Sequence, residues 1–275
     1  MEQEWLYRNY IGDVMKIINT LENMDLSTSN LVESYWEIDI LKDIYFIPKK
    51  VDKRKSYELI RDEEFLRLLE TTVSFLKKCD VVKVVEELFH EFEDDTKYQL
   101  KDEKLYLILG CHTTTIYSAV VNSEEISVLC LESLEGNMDK LKMLLAHEFT
   151  HYVRKQLLDC DIFETSIGER IITEGIASNY SREMVPSKTD SFYCIVSEDT
   201  VSWVATHTDF IRNYIKENLE DNKLMRDLFY MYADISFPVR SGYVYGYFVV
   251  KKYLEENGLH VKDILGIDWK EILKV

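Results

Sequence analysis

The sequence predicts an α+β protein that is predominantly helical, with a small mixed sheet between an N-terminal helical region and a second set of helices. Helical periodicity dominates the first hundred residues, and residues 104–132 are rich in β-branched and alternating apolar positions. Periodicity of three and four residues resumes after that segment. Only 9 Gly and 3 Pro occur in 275 residues, which favours helices over long linkers.

Four segments of the first hundred residues have apolar residues at helical spacing. The predicted helices cover residues 6–24, 29–46, 62–78 and 81–92. Nothing in them suggests chemistry, so we interpret residues 1–100 as an N-terminal helical region and 101–275 as a second domain. No linker composition marks the boundary, so the N-terminal region can also belong to the same fold.

The rest of the chain supplies the sheet and the later helices. Two or three strands are predicted in the segments KLYLILG, TTTIYSAVV and EISVLCLE, with NSEE as a turn between strands. A helix then follows Asn137, which is a favourable N-cap, and another starts near Gly168 and stops before Pro186. Further helices are predicted at 198–218, 221–232 and 241–256, with a short tail helix ending in DWKEILKV.

Charge and composition exclude several classes of function. The net charge of −17 speaks against nucleic-acid binding, because phosphates would be repelled over most of the surface. The N-terminus lacks the features of a signal peptide, and no apolar run approaches the roughly 18 residues that a membrane span needs. The five cysteines are scattered and never form a CxxC pair. We therefore expect a cytoplasmic protein with reduced thiols that does not bind membranes.

The motif His147-Glu148-Phe149-Thr150-His151 lies within the helix after Asn137. Residues four apart share a helix face, so both imidazoles can point at one ion, and zinc suits such a pair. Glu148 lies at the edge of that face, where its carboxylate can act as a general base on water without ligating the metal. The alternative is that the motif occurs by chance in a solvated or core helix that binds no metal.

Glu174 is the predicted third ligand. It follows His151 by one helix, a loop and the start of a second helix, and its neighbours Ile171-Ile172-Thr173 and Gly175-Ile176-Ala177 are mostly apolar. A carboxylate in such a stretch is costly to bury unless it is paired or bound to metal. Gly175 and Ala177 are small, and we expect them to let this helix approach the histidine helix closely. The alternative is a surface glutamate on an amphipathic helix.

HEFTH followed by TEGIA resembles the gluzincin metallopeptidases, in which two histidines and a downstream glutamate bind zinc. The later stretch GYVYGY resembles a bacterial family described as predicted zinc-dependent proteases. The likeness covers roughly residues 105–256. It implies a thermolysin-like core in a catalytic domain over 101–275, one Zn²⁺ per chain and a peptide or protein substrate.

The resemblance also implies a tyrosine that donates to the oxyanion, and Tyr243 lies at a matching distance from Glu174. Tyr243 can instead belong to a core aromatic stripe, and the neighbouring tyrosines 245 and 247 are alternatives. Arg240 is a candidate for binding a substrate carboxylate or the oxyanion, with an ordinary surface arginine as the alternative. His207 is a weaker candidate for the oxyanion donor.

Two departures from better-known gluzincins affect these expectations. Ser178 stands where thermolysin-like enzymes have an aspartate that orients a ligand histidine, so Ser178, Asn179 or a backbone carbonyl must replace it. The motif that binds a free substrate amine is also missing, which leaves aminopeptidase specificity open, and we expect the substrate to pair with strand EISVLCLE. The rival interpretation is a catalytically silent zinc-containing binding or regulatory protein.

Overall fold

The computed structural model describes ten stretches of the chain. They are residues 14–23, 41, 44, 63–100, 104–110, 115–121, 124–158, 166–216, 228–229 and 237–274. The chain forms two compact units, one running to residue 88 and over 101–141, the other over 89–100 and from 142 onward. The boundary near residue 100 stays a prediction.

The first unit contains helices and the sheet, and the predicted α+β class is confirmed. Residues 14–22 are helical, within the first predicted helix. The labelled elements are helices α1 (Glu63–Lys78) and α2 (Val81–Thr96), strands β1 (Leu105–Ile108), β2 (Ile116–Val121) and β3 (Glu124–Cys130), and a 3-10 helix over Leu131–Leu134. Helix α1 buries Phe65, Leu69 and Leu76 on one face, as its spacing predicts.

The sheet has the order β1-β3-β2 and is mixed, because β3 pairs with β1 in parallel and with β2 in antiparallel fashion. Each of the three segments in which two or three strands were predicted forms a strand. Ser127, Val128 and Leu129 of β3 have partners on both sides. The expectation that an extended substrate pairs with this strand is therefore wrong for these residues, since other strands already use both of its edges.

The second unit is helical and carries the motif. Its elements are α3 (Met138–Leu158, which begins in the first unit), α4 (Ile167–Met184), α5 (Asp190–Cys194), α6 (Glu198–Thr206), α7 (Thr208–Lys216), α8 (Ser241–Asn257), a 3-10 helix over Val261–Asp263 and α9 (Trp269–Leu273). Asn137 caps α3 through its side-chain oxygen, which accepts from the backbone N–H of Asp139 at 2.9 Å. Ser166 caps α4 in the same way through the N–H of Glu169. Both helix starts match the sequence signals.

The prediction of one helix over 198–218 is wrong, because the helix ends before His207 and a second helix begins after it, giving α6 and α7. The His207 ring stacks on Trp203 at 4.2 Å, and its Nδ1 lies 2.8 Å from the Trp203 carbonyl oxygen. The Thr208 hydroxyl donates to backbone carbonyls of α6. Side chains that bond nearby carbonyls compete with the helical pattern and favour a break. The predicted helix at 221–232 falls almost wholly outside the described residues.

An aromatic cluster fills the core of the second unit where α2, α3 and α4 meet. The ring of Phe149 lies 5.6 Å from Phe92 and 6.1 Å from Tyr180, and all three residues are fully buried. Burying a side chain of this size contributes about 1.5–3 kcal/mol. Because Phe149 belongs to the motif itself, this cluster fixes the orientation of α3 and hence the direction of its histidines.

Helices α4 and α8 cross in direct backbone contact. A Cβ on Gly175 would lie 2.3 Å from the Gly246 carbonyl oxygen, and one on Gly246 would lie 2.1 Å from the Ile171 carbonyl oxygen. Asn179 holds the crossing by donating to the carbonyls of Gly175 and Tyr247. The expectation that Gly175 serves the approach to the histidine helix is wrong, since this glycine faces α8.

The structure describes three of the five cysteines. Cys79, Cys130 and Cys194 are free thiols, while the other two cysteines lie outside the described residues. Burial raises the pKa of the Cys194 thiol, so it stays protonated at neutral pH. Among the described helices, none combines the length and the apolar character that crossing a membrane requires.

Candidate metal centre

Helices α3 and α4 bring the three predicted ligands together. His147 Nε2 lies 3.1 Å and His151 Nε2 lies 3.5 Å from the same oxygen, Oε2 of Glu174. The two imidazole rings meet edge to face, with centroids 4.8 Å apart. One donor atom from each residue lies within 4.8 Å of the other two. Two imidazole nitrogens and one carboxylate oxygen are the donor set of a catalytic zinc site.

Burial sets the electrostatics of this group. Glu174 is 1% exposed and His147 is 5% exposed. Burial lowers the pKa of His147, and the opposing pull of the Glu174 carboxylate does not reverse this direction. The imidazole is therefore neutral at physiological pH, which is the form that binds a metal.

The Glu174 carboxylate is ionised in spite of its burial. Burial alone would raise its pKa, but the Arg170 guanidinium, His151 and His147 together hold that pKa well below the usual range. A neutral histidine beside an ionised carboxylate is the protonation pattern that a divalent cation needs. These residues therefore fit a zinc ion.

Glu148 lies on α3 beside the first histidine and is 4% exposed. It is not one of the three residues whose donor atoms converge. This placement keeps its carboxylate near the site and outside the ligand group, as the motif predicts for a general base.

Arg170 is a site residue that the sequence motifs did not reveal. Its Nη2 lies 2.7 Å from Glu174 Oε1, the carboxylate oxygen that does not face the histidines. The signal was present in the spacing, because Arg170 precedes Glu174 by four residues on one helix face. In an otherwise apolar stretch, a cation at that spacing is the partner that a buried carboxylate requires.

Tyr243 lies near the centre, because the Glu174 carboxylate and the Arg170 guanidinium both act on its pKa. Burial raises the pKa of Tyr243, so the phenol is protonated at neutral pH. The guanidinium of Arg240 stacks over its ring at 4.2 Å, and the ring of Phe229 packs edge-on at 5.3 Å. The Gly175–Gly246 crossing accounts for the position of Tyr243, because that tyrosine lies one turn before Gly246 on α8.

Arg240 is placed as a neighbour of Tyr243. It precedes α8 with a positive φ of 63°, and its Nη1 donates to the Ile195 carbonyl at 3.3 Å. Its contacts with the Tyr243 ring and a backbone carbonyl orient the tyrosine. A role in binding substrate stays a prediction.

The other candidates lie in different surroundings. Tyr247 donates to Asp190 at 2.6 Å. The charged groups that act on the pKa of Tyr245 are Arg212 and Asp209, which are not residues of the ligand group. His207 stacks on Trp203. Of the three tyrosines considered, Tyr243 is the one whose pKa is influenced by Glu174.

The residues expected to orient the ligands are only partly accounted for. Asn179 is committed to the α4–α8 crossing. Ser178 Oγ and His147 Nδ1 are both buried, and neither has a hydrogen-bond partner among the residues that the structure describes. The orientation of the histidine therefore comes from packing of α3 and from its contact with Glu174.

Comparisons with known proteins agree with this geometry. Residues 111–274, well over half of the chain, match the family model described as "Predicted Zn-dependent protease (DUF2268)". A Bacillus subtilis (strain 168) protein called "Uncharacterized protein YjfC" is 23% identical over 151 residues, covering 50% of this chain and 47% of that protein. The chain thus spans about half the length of this curated relative. No solved structure matches the chain.

Proposed function

The chain belongs to the family of predicted zinc-dependent proteases, as its resemblance indicated, and we propose that it is a zinc metallopeptidase of the gluzincin type. The observation that carries this proposal is the convergence of His147 Nε2, His151 Nε2 and Glu174 Oε2 in a buried site. We assign these three residues as ligands of one zinc ion.

The remaining site residues supply the proton chemistry. A bound zinc ion lowers the pKa of water and polarises a carbonyl group. Glu148 takes the proton from the attacking water and passes it to the leaving amine. Tyr243, protonated at neutral pH, donates to the carbonyl oxygen as negative charge develops there.

The substrate class is a peptide or protein, because hydrolysis of an amide bond is the reaction that this set of groups serves. Enzymes of this kind need both an activated water and a donor for the oxyanion; in this proposal Glu148 with the zinc ion would supply the first and Tyr243 the second. The cytoplasmic location and the absence of nucleic-acid and membrane partners stay predictions from composition.

The alternative is a protein that binds zinc and does not turn over a substrate. Glu148 and Tyr243 distinguish the peptidase from the binding protein, because a protein that only binds zinc does not need a general base beside the metal. The presence of both groups with the ligands favours the peptidase.

The test is cleavage of a peptide mixture by zinc-loaded protein, read by mass spectrometry as new peptide termini. The matched variant is Glu148→Gln, which keeps the size of the side chain and removes the base. We expect it to retain zinc and to lose activity by about 10²- to 10⁴-fold. No cleavage by the zinc-loaded wild type would support the silent binding protein. Equal cleavage by both proteins would exclude Glu148 as the base.

A further inference from the structure

We propose that the second unit contains a binding site for a small organic anion, formed where α7, α8 and α9 meet and separate from the candidate metal centre. A cavity of about 350 Å³ lies there, and its described lining includes none of the residues assigned to the metal centre. Small-molecule sites have volumes of about 300–1,000 Å³, so the cavity has room for a ligand of one ring with an acidic substituent.

The floor of the cavity is apolar and buried. It is formed by Ile215 of α7, Tyr245 of α8 and Ile272 of α9, each 3% exposed or less. Val249 also lines the cavity and lies one turn after Tyr245, so the two share a face of α8. The contact of α8 with α4 is made by Gly246, on a different face. An apolar ligand body can therefore occupy the cavity without disturbing the crossing of these helices.

The rim of the cavity is positively charged in a chain whose net charge is −17. It carries Arg212, Lys216, Lys252 and Lys274, whereas Glu256 is the one acidic side chain among the described residues that line the cavity. A cleft lined mainly by one sign of charge concentrates ions of the opposite sign. The rim therefore favours a ligand that is anionic.

Glu256 neutralises only part of this charge. Its carboxylate is shared, because Oε1 lies 3.6 Å from Lys252 Nζ and Oε2 lies 3.7 Å from Lys274 Nζ. All three side chains are about half exposed or more, and ion pairs of this kind contribute little stability. Outside the lining, Asp209 pairs with Arg212 at 3.0 Å on the surface of α7. The four cations of the rim outnumber these two carboxylates.

Helix dipoles account for two of the four cations. Lys216 lies in the last turn of α7 and Lys274 directly follows α9, where the negative end of a helix favours a cation. Arg212 and Lys252 lie before the last turns of α7 and α8, where that effect has faded. Their presence at the rim of a cavity with an apolar floor is the observation that an anionic ligand explains.

The probe is phenyl phosphate, which joins an acidic group to one apolar ring, and phenylacetate offers the carboxylate form of the same chemistry. Inorganic phosphate and benzyl alcohol each supply one half of the probe. Calorimetric titration measures binding to the zinc-loaded full chain. Arg212→Gln/Lys252→Gln removes two charges of the rim, and Val249→Trp fills the cavity. The matched control Lys188→Gln/Lys262→Gln removes two charges from exposed lysines outside the lining.

We expect at least one of the two phenyl anions to saturate a single site with a Kd of about 1 mM or lower, and each half of the probe to bind at least about tenfold more weakly. Arg212→Gln/Lys252→Gln should weaken binding by at least about tenfold, and Val249→Trp should abolish it, while the control changes it by less than about twofold. Raising NaCl from about 50 to about 500 mM should also weaken binding, because exposed charges are screened. The anion that binds more tightly identifies the acidic group.

Saturation by neither anion would overturn the proposal, and so would equal binding by the wild type and Arg212→Gln/Lys252→Gln. Binding that is lost in Glu174→Ala but kept in both pocket variants would also overturn it, because the anion would then lie at the metal centre. Binding that persists in Glu174→Ala supports the site whether or not the chain is a peptidase. If Val249→Trp does not fold, as judged by circular dichroism, the double variant of exposed residues decides.

Discussion

Two arginine–glutamate pairs meet on helix α4 about one turn apart, and they differ in what surrounds them. Arg154 of α3 bonds Glu169 at 2.6 Å, and Arg170 bonds Glu174 at 2.7 Å. Arg154 also donates to the Thr173 hydroxyl and to the Leu265 carbonyl. Its remaining bonds thus tie α3 and α4 to the segment before α9.

The second pair belongs to the candidate metal centre. The Oε2 oxygen of Glu174 faces His147 and His151, while its Oε1 oxygen pairs with Arg170. The same ion-pair chemistry therefore serves two purposes. Where the further partners are backbone carbonyls the pair holds the fold, and where they are the predicted ligands it holds a charged carboxylate in the candidate metal centre.

Arg154→Met should produce the largest effect on stability. It leaves Glu169 buried without its cation and removes the donor of the Leu265 carbonyl, so we expect a loss of about 3–5 kcal/mol. Urea denaturation of the metal-free protein measures this, as a lower midpoint at constant slope. Zinc bound per folded chain should not change. A stable Arg154→Met protein that has lost zinc would remove the distinction between the two pairs.

Tyr243 near the candidate metal centre and Thr173 beside Arg154 give a matched comparison of two hydroxyl groups. Tyr243→Phe should lower kcat by about 10²- to 10³-fold, or about 2.7–4 kcal/mol of transition-state stabilisation, while leaving stability and zinc nearly unchanged. Thr173→Val should do the opposite, lowering the free energy of unfolding by about 1–3 kcal/mol with kcat unchanged, because it leaves an Arg154 donor unpaired. Kinetics and denaturation of both variants check this, and similar kinetic losses in the two would contradict it.

Gly246→Ala tests how the crossing of α4 and α8 positions the site. The added Cβ would lie 2.1 Å from the Ile171 carbonyl oxygen, so the helices must separate. We expect a loss of about 1–3 kcal/mol in stability, typical of overpacking. Because Tyr243 lies on α8 and all three ligands lie on α3 and α4, kcat should fall while zinc affinity changes little. Zinc loss larger than the loss in kcat would show that α8 supports the ligands directly.

The sequence predicted those parts of the site that lie within one helix or follow from helix spacing. The motif histidines, Glu148, the helix caps and the three strands all depend on local periodicity, and the structure has them where the pattern indicates. The contact between Gly175 and Gly246 joins residues far apart in sequence, so spacing alone assigned Gly175 to the wrong neighbour. The helix break at His207 depends on hydrogen bonds between side chains and the backbone, which the periodicity of apolar residues does not indicate.

Arg170 shows a different kind of omission. Its pairing with Glu174 is local and follows from the four-residue spacing, whereas its influence on the pKa of Tyr243 depends on the crossing of α4 with α8. The position of β3 between two other strands is likewise a property of pairing order, which the sequence of each strand does not contain. Long-range contacts of this kind decide which of several equivalent residues enters a site.

The most direct test of the zinc site is the metal content of the wild type beside Glu174→Ala and Glu169→Ala, all purified without chelator and then offered zinc. The two variants remove the arginine-paired glutamates of α4 in turn. We predict about one zinc per folded chain in the wild type and in Glu169→Ala, and clear loss in Glu174→Ala, because three protein ligands are usual for a catalytic zinc. Equal zinc in Glu174→Ala and the wild type, or no zinc in any of the three proteins, would contradict the site described by His147, His151 and Glu174.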